Sequence, residues 1–167
     1  MRNKVAVSTY SFSNILYSEK MPDLESLFQT IHDLGLDGVE IVAFNITDQA
    51  AHSPMGPRDP DKSPDPLLPD GTSVTPGETP IHKMDPEKMK ALLEQMSRVG
   101  RTRPSSIPKI KELLERYNLE VCNMPVDFGD IGNPNQEERM ADLEMMKMWI
   151  DIAAELGSPS VRINSGH

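Results

Sequence analysis

The stretch PDLESLFQTIHDLGLDGVEIV, residues 22–42, decides how the rest of the chain is read. Its apolar residues fall at Leu24, Leu27, Phe28, Ile31 and Leu34. That is the spacing of one helical face, with Pro22 in the first turn and Gly35 as a left-handed stop. Directly after the stop, Asp37-Gly38-Val39-Glu40-Ile41-Val42 has the β-branched alternation of a strand. A helix that runs into a strand through so short a joint is an α/β unit.

The same unit recurs on either side. Val5-Ala6-Val7-Ser8-Thr9-Tyr10 reads as a preceding strand. Downstream, Ile107, Ile110, Leu113, Leu114 and Tyr117 form a helical stripe ending at Asn118, and Leu119 to Met124 reads as a third strand. After the turn signal Gly132-Asn133-Pro134 comes the longest expected helix. Its stripe is read as Met140, Leu143, Met146, Ile150, Ala153 and Ala154, with a stop at Gly157. Ser160 to Asn164 reads as a fourth strand. This order implies parallel strands joined by right-handed helical crossovers. The helix-to-strand joints are brief and the strand-to-helix joints long and polar, which places the working face beyond the strand C-termini, in a barrel and in an open sheet alike.

Nine of the fifteen prolines lie between His52 and Pro86, in a stretch poor in large apolar residues. Such a segment cannot bury enough surface to offset its ordering entropy. It is read as an insertion over about 46–104 within a single domain, 1–167, with one helix over about 86–99 that Asp85 caps. Its Pro54-x-x-Pro57, Pro57-x-x-Pro60 and Pro66-x-x-Pro69 spacings are compatible with polyproline docking.

Composition narrows the function classes. The 17 basic and 26 acidic residues give a net charge of -9, spread along the chain, which disfavours a nucleic-acid binder. The single cysteine, Cys122, allows no internal disulfide and no Cys-based zinc framework, so a reducing, cytoplasmic setting is expected. No 18-residue apolar run predicts a membrane span.

Three segments carry a family likeness. Ser8-Thr9-Tyr10-Ser11-Phe12 closes strand one, Leu34-Gly35-Leu36-Asp37-Gly38-Val39-Glu40-Ile41 leads through strand two, and Ala153-Ala154-Glu155-Leu156-Gly157 precedes Val161-Arg162-Ile163-Asn164-Ser165-Gly166. In this order they resemble the N-terminal half of the sugar phosphate isomerase/epimerase superfamily, the xylose-isomerase-like TIM barrels. The resemblance implies a parallel (β/α) barrel of TIM type with only about the first four strands present, a half or truncated barrel. It implies a small-molecule carbohydrate as ligand, and self-association or a missing second half to complete the ring. It also implies a metal-dependent sugar or sugar-phosphate isomerase or epimerase. In that family a divalent metal, Mn or Mg, polarises the carbonyl while paired glutamates move a proton through an enediolate. The family's metal ligands fall on later strands, so none is assigned in this chain. The alternatives are a related lyase or dehydratase on the same scaffold, and a non-catalytic half-barrel subunit or binding module that needs a partner chain.

In a barrel strand, alternate residues face the interior. If Val39 and Ile41 meet the helices, Glu40 points inward, and by the same parity so do Arg162 and Asn164. Glu40 and Arg162 are then expected to meet across the interior. There they either orient a polyhydroxylated ligand, with Asn164 above them, or form a buried pair that fixes register. If that pair is desolvated, losing Arg162 would cost ~3 to 5 kcal/mol. Tyr10 and Phe12 at the end of strand one offer an aromatic wall for a sugar ring or a plug for the barrel mouth, and Asn123 holds the matching place on strand three. Asp127 and Asp130 read as solvated or turn acids, and Cys122 as a small core residue. His32 reads as a surface residue, while His52 and His82 belong to the insertion. His167, just past Gly166, is the candidate for proton transfer.

Overall fold

The computed structural model describes residues 3–13, 15–48 and 99–163. Strands β1 (Ala6–Ser8), β2 (Gly38–Glu40), β3 (Glu120–Val126) and β4 (Val161–Ile163) pair in parallel in the order β1-β2-β3-β4. Between them run α1 (Leu24–Asp33), α2 (Ile107–Arg116) and α3 (Gln136–Glu155). For parallel strands in sequential order, right-handed crossovers lay every connecting helix on one face. One apolar cluster accordingly joins all three helices to the sheet, with Phe28, Ile110 and Trp149 packed against Val39, Val121 and Met124. The result is a parallel α/β sheet of four strands, consistent with part of a TIM-type fold. The expected helix over 86–99, the PxxP motifs, His52 and His82 lie outside the described residues, as do Asn164 and His167.

The helix signals act locally. Asp23 caps α1, its Oδ1 accepting the Ser26 N–H at 2.8 Å, so Pro22 precedes the cap instead of occupying the first turn. All three helices end on a residue with positive φ, namely Gly35, Asn118 and Gly157. In each, the next N–H reaches back across the last turn: Leu36 to Ile31, Leu119 to Leu114 and Ser158 to Ala153. These closures satisfy the terminal carbonyls and turn the chain straight into the next strand.

The apolar stripe of α3 differs from expectation. Met140 and Ile150 are exposed, and the buried face is Asp142, Met145, Met146, Trp149, Ile152 and Ala153. Apolar residues on both sides of this helix blur its phase in the sequence, and the true stripe begins with a carboxylate. Both margins of the Pro-rich segment pack into the domain. Ile46 is buried in a 3-10 turn, Ala43–Ile46, and the Trp149 indole N–H donates to the Gly100 carbonyl at 2.9 Å.

Candidate functional site

The two faces of the sheet differ in kind. Val39, Val121, Met124 and Val126 bury against the helices. The other face carries a polar row that begins with a register slip. Val39 pairs with Val121, but Glu40 pairs with Asn123, so β3 holds one extra residue there, Cys122. Such a bulge re-aims side chains. Here it leaves Cys122 exposed, not in the core as expected, and brings Asn123 opposite Glu40. The Cys122 thiol is pushed above its ordinary value by burial of its surroundings and by the charge of Glu40.

Asn123 donates from Nδ2 to Glu40 Oε2 at 2.8 Å and accepts at Oδ1 from the Ser160 hydroxyl at 2.9 Å. The Ser160 hydroxyl also lies 3.3 Å from the Cys122 carbonyl. A carboxylate only accepts, so the amide has one possible orientation, nitrogen toward Glu40 and oxygen toward Ser160. Glu40, Asn123 and Ser160 thus form one continuous polar row across β2, β3 and the start of β4.

Arg162 does not join this row. β4 pairs Val161 with Met124 and Arg162 with Pro125, which sets the arginine past the level of Glu40 and two strands away from it. Its guanidinium pairs instead with Asp127, just beyond β3, at 2.7 Å. The expected Glu40–Arg162 pair is absent and the arginine side chain is 58% exposed. The cost expected for a desolvated pair therefore does not apply. Val161 and Ile163 do pack on the core side, in line with the expected parity. Tyr10 is 73% exposed in a 3-10 turn, Thr9–Phe12, while Phe12 packs on the core. Of the expected site residues the structure joins Glu40 to Asn123 and leaves Arg162 and Tyr10 outside that pair.

The loops at the strand C-termini are held by buried polar groups. Thr9, fully buried, accepts at Oγ1 from the Val42 N–H and from Asn45 Nδ2, both at 3.0 Å. The Tyr17 hydroxyl donates to the Asn45 carbonyl at 2.7 Å, and burial, with Asp23 and Asp48 nearby, pushes its pKa up to about 12. Asp142, 4% exposed, takes the Arg101 Nη2–H at 2.9 Å and the Asp130 N–H at 2.8 Å. Ser160 and Asp142 escape a reading by strand and helix pattern alone. Only a charged residue inside the correctly phased α3 stripe marks Asp142.

Two open grooves lie on the helix side, away from the polar row. One, about 420 Å³, runs between the N-termini of α1 and α2, but its carboxylates are committed. Asp23 caps α1, Glu25 pairs with Lys109 and Arg116, and Asp48 accepts from Ser105. The other, about 590 Å³, lies at the opposite end, by Leu119 and Leu156. Among the described residues no group of three or more His, Cys, Asp or Glu side chains fits a metal ion. No helix among them is long and apolar enough to cross a membrane.

Comparison with protein-family models and with curated proteins finds no match. Among solved structures, the chain is similar to 3-keto-D-glucoside 4-epimerase, YcjR, from E. coli in its apo form. Identity is 13% and the TM-score 0.50, over 98% of this chain and 38% of that one. The likeness is one of fold, and the chain spans well under half the length of that neighbour.

Proposed function

We propose that this chain is the leading part of a carbohydrate isomerase or epimerase on a TIM-type barrel, with the polar face of its sheet turned to the sugar. The contrast between the sheet's two faces carries the reading. One face is sealed with apolar side chains, while the other bears Glu40, at the C-terminal end of β2, in a bonded row with Asn123 in the middle of β3 and Ser160 just before β4. In α/β folds ligands bind beyond the strand C-termini. The fold likeness to a keto-glucoside epimerase supports a sugar as substrate class. Glu40 is the group suited to accept sugar hydroxyls or a proton. Asn123 holds it, Arg162 offers a cation paired with Asp127, and Tyr10 offers an aromatic face. Asn164 and His167 follow β4 in the sequence and complete the proposed set, with His167 sharing proton transfer with Glu40. A divalent metal, Mn or Mg, would polarise the carbonyl, held by residues other than those described.

A second reading rests on the sheet edges. β1 and β4 each pair on one side only among the described strands, and parallel sheets are ordinarily covered on both faces. A closed ring would need further strands, from a second copy or a second half. A non-catalytic subunit has the same need.

The test is exchange of the proton beside the carbonyl of a 3-keto-glucoside in deuterated buffer with Mn²⁺ or Mg²⁺, followed by NMR. Exchange above the metal-only rate is expected, falling by about 10²-fold or more in Glu40→Gln, the scale of a lost general base. No exchange above the metal-only rate in the full chain would move the weight to the non-catalytic reading. Sedimentation mass would then show whether copies associate.

A further inference from the structure

We infer that Ser160 and Asn123 are positioning residues for Glu40, a hydrogen-bonded relay that fixes its carboxylate through Oε2 and leaves Oε1 for the ligand. The inference rests on the proposed role of Glu40 and of Asn123 in holding it, and adds Ser160, which lies outside any strand. Its geometry is on the sheet. Ser160 donates to Asn123 Oδ1 at 2.9 Å and Asn123 donates to Glu40 Oε2 at 2.8 Å. Among the described residues no hydrogen bond reaches Oε1.

A glutamate on an open face otherwise samples several rotamers, and freezing them on ligand binding costs side-chain entropy. A neutral amide is a suitable tether, because it orients the carboxylate without the competing charge of a guanidinium or ammonium group. The amide would turn about its own bonds unless its oxygen were also held, and Ser160 holds it. The bulge at Cys122 is what makes the row possible, since without the extra residue Cys122 and not Asn123 would stand opposite Glu40.

The same bulge supplies a reporter. Cys122 is the only cysteine of the chain and is exposed, and Glu40 is near enough to raise its thiol pKa. Alkylation by iodoacetamide as a function of pH therefore reads the placement of the Glu40 carboxylate with no ligand present. Glu40→Gln is expected to lower the Cys122 midpoint, because removing a neighbouring negative charge eases ionisation of the thiol. If the relay holds the carboxylate there, Ser160→Ala and Asn123→Ala release it toward water and lower the midpoint in the same direction. Ser160→Thr, which keeps the hydroxyl, is expected to retain the wild-type midpoint, and Ser160→Ala added to Glu40→Gln is expected to change nothing further.

Three results would overturn the relay. One is a wild-type midpoint in Ser160→Ala. Another is a Ser160→Ala shift that persists in full beside Glu40→Gln, meaning that Ser160 acts through the Cys122 carbonyl. The third is a midpoint unmoved by Glu40→Gln. Because no sugar enters the measurement, its failure is separate from failure of the keto-sugar exchange. A relay without exchange leaves the function in doubt, and exchange without a relay removes only these two roles.

Discussion

Trp149 donates its indole N–H to the carbonyl of Gly100 at 2.9 Å, tying the middle of the longest helix to the point where the chain returns from its Pro-rich segment. Phe128, from the loop after β3, packs on the same indole with ring centroids 5.5 Å apart. The backbone at Gly100 lies so close that an added Cβ would stand 2.1 Å from the Phe128 ring. Helix, loop and return point thus share one contact.

Trp149→Phe keeps a ring in the core but leaves the Gly100 carbonyl without its donor. An unsatisfied buried acceptor costs about 1–3 kcal/mol, and that loss is expected in urea unfolding followed by far-UV circular dichroism. Trp149 is the only tryptophan, so its fluorescence cannot serve. A variant as stable as the wild type would show that the carbonyl finds water instead.

Asp142 offers a sharper contrast with the surface. Its carboxylate is buried and relies on Arg101 and the Asp130 N–H. Arg101→Met leaves that charge short of its counter-ion, and a loss of about 3 kcal/mol is expected, the lower end for breaking a buried pair. Lys4→Met breaks a pair with Glu120 in which both side chains are about two-thirds exposed, and Arg162→Ala breaks the exposed pair with Asp127. Each of these two is expected to cost under about 1 kcal/mol. Equal losses in all three would mean that Asp142 is not desolvated in solution.

How far the sequence reaches is visible in these same residues. Order and direction of the strands follow from periodicity and from the stops at Gly35, Asn118 and Gly157, because helix ends are local and each stop has its own backbone signature. The polar character of Glu40 is legible from strand parity. Its partner is not, because partnership depends on register between strands far apart in the chain, and a single extra residue at Cys122 resets it. The phase of α3 fails for a related reason. Met140 and Ile150 are apolar yet exposed, Asp142 is charged yet buried, and Arg101, brought from the other loop, together with the Asp130 N–H makes the second arrangement stable.

Gly38 tests how tightly β2 is held against β3. A Cβ there would stand 2.6 Å from the Glu120 carbonyl oxygen, a backbone atom that cannot step aside without moving the strand. Gly38→Ala is expected to lose about 1–3 kcal/mol, the usual range for overpacking, and to disturb the neighbouring Glu40–Asn123 bond. Gly35→Ala meets no atom within 4 Å but must hold φ at +72°, a strain of about 1 kcal/mol. Chemical denaturation of both variants checks the order, and a Gly38→Ala variant no less stable than Gly35→Ala would show that the two strands part easily.

The cap of α1 should reveal itself through pH. Asp23 is held below its ordinary value of 3.8, first by the Ser26 N–H and then by the Ser26 hydroxyl. A carboxyl whose folded pKa is depressed contributes stability that is fully present above its unfolded value and lost as pH falls through the folded one. Asp23→Ala is therefore expected to cost about 1 kcal/mol at pH 7. The difference from wild type should hold down to about pH 4 and shrink below it as the wild-type carboxylate protonates. Urea midpoints of both proteins between pH 7 and pH 2.5 give the comparison. A gap that stays constant to the lowest pH would mean that the side chain caps the helix by its shape alone, with the charge contributing nothing.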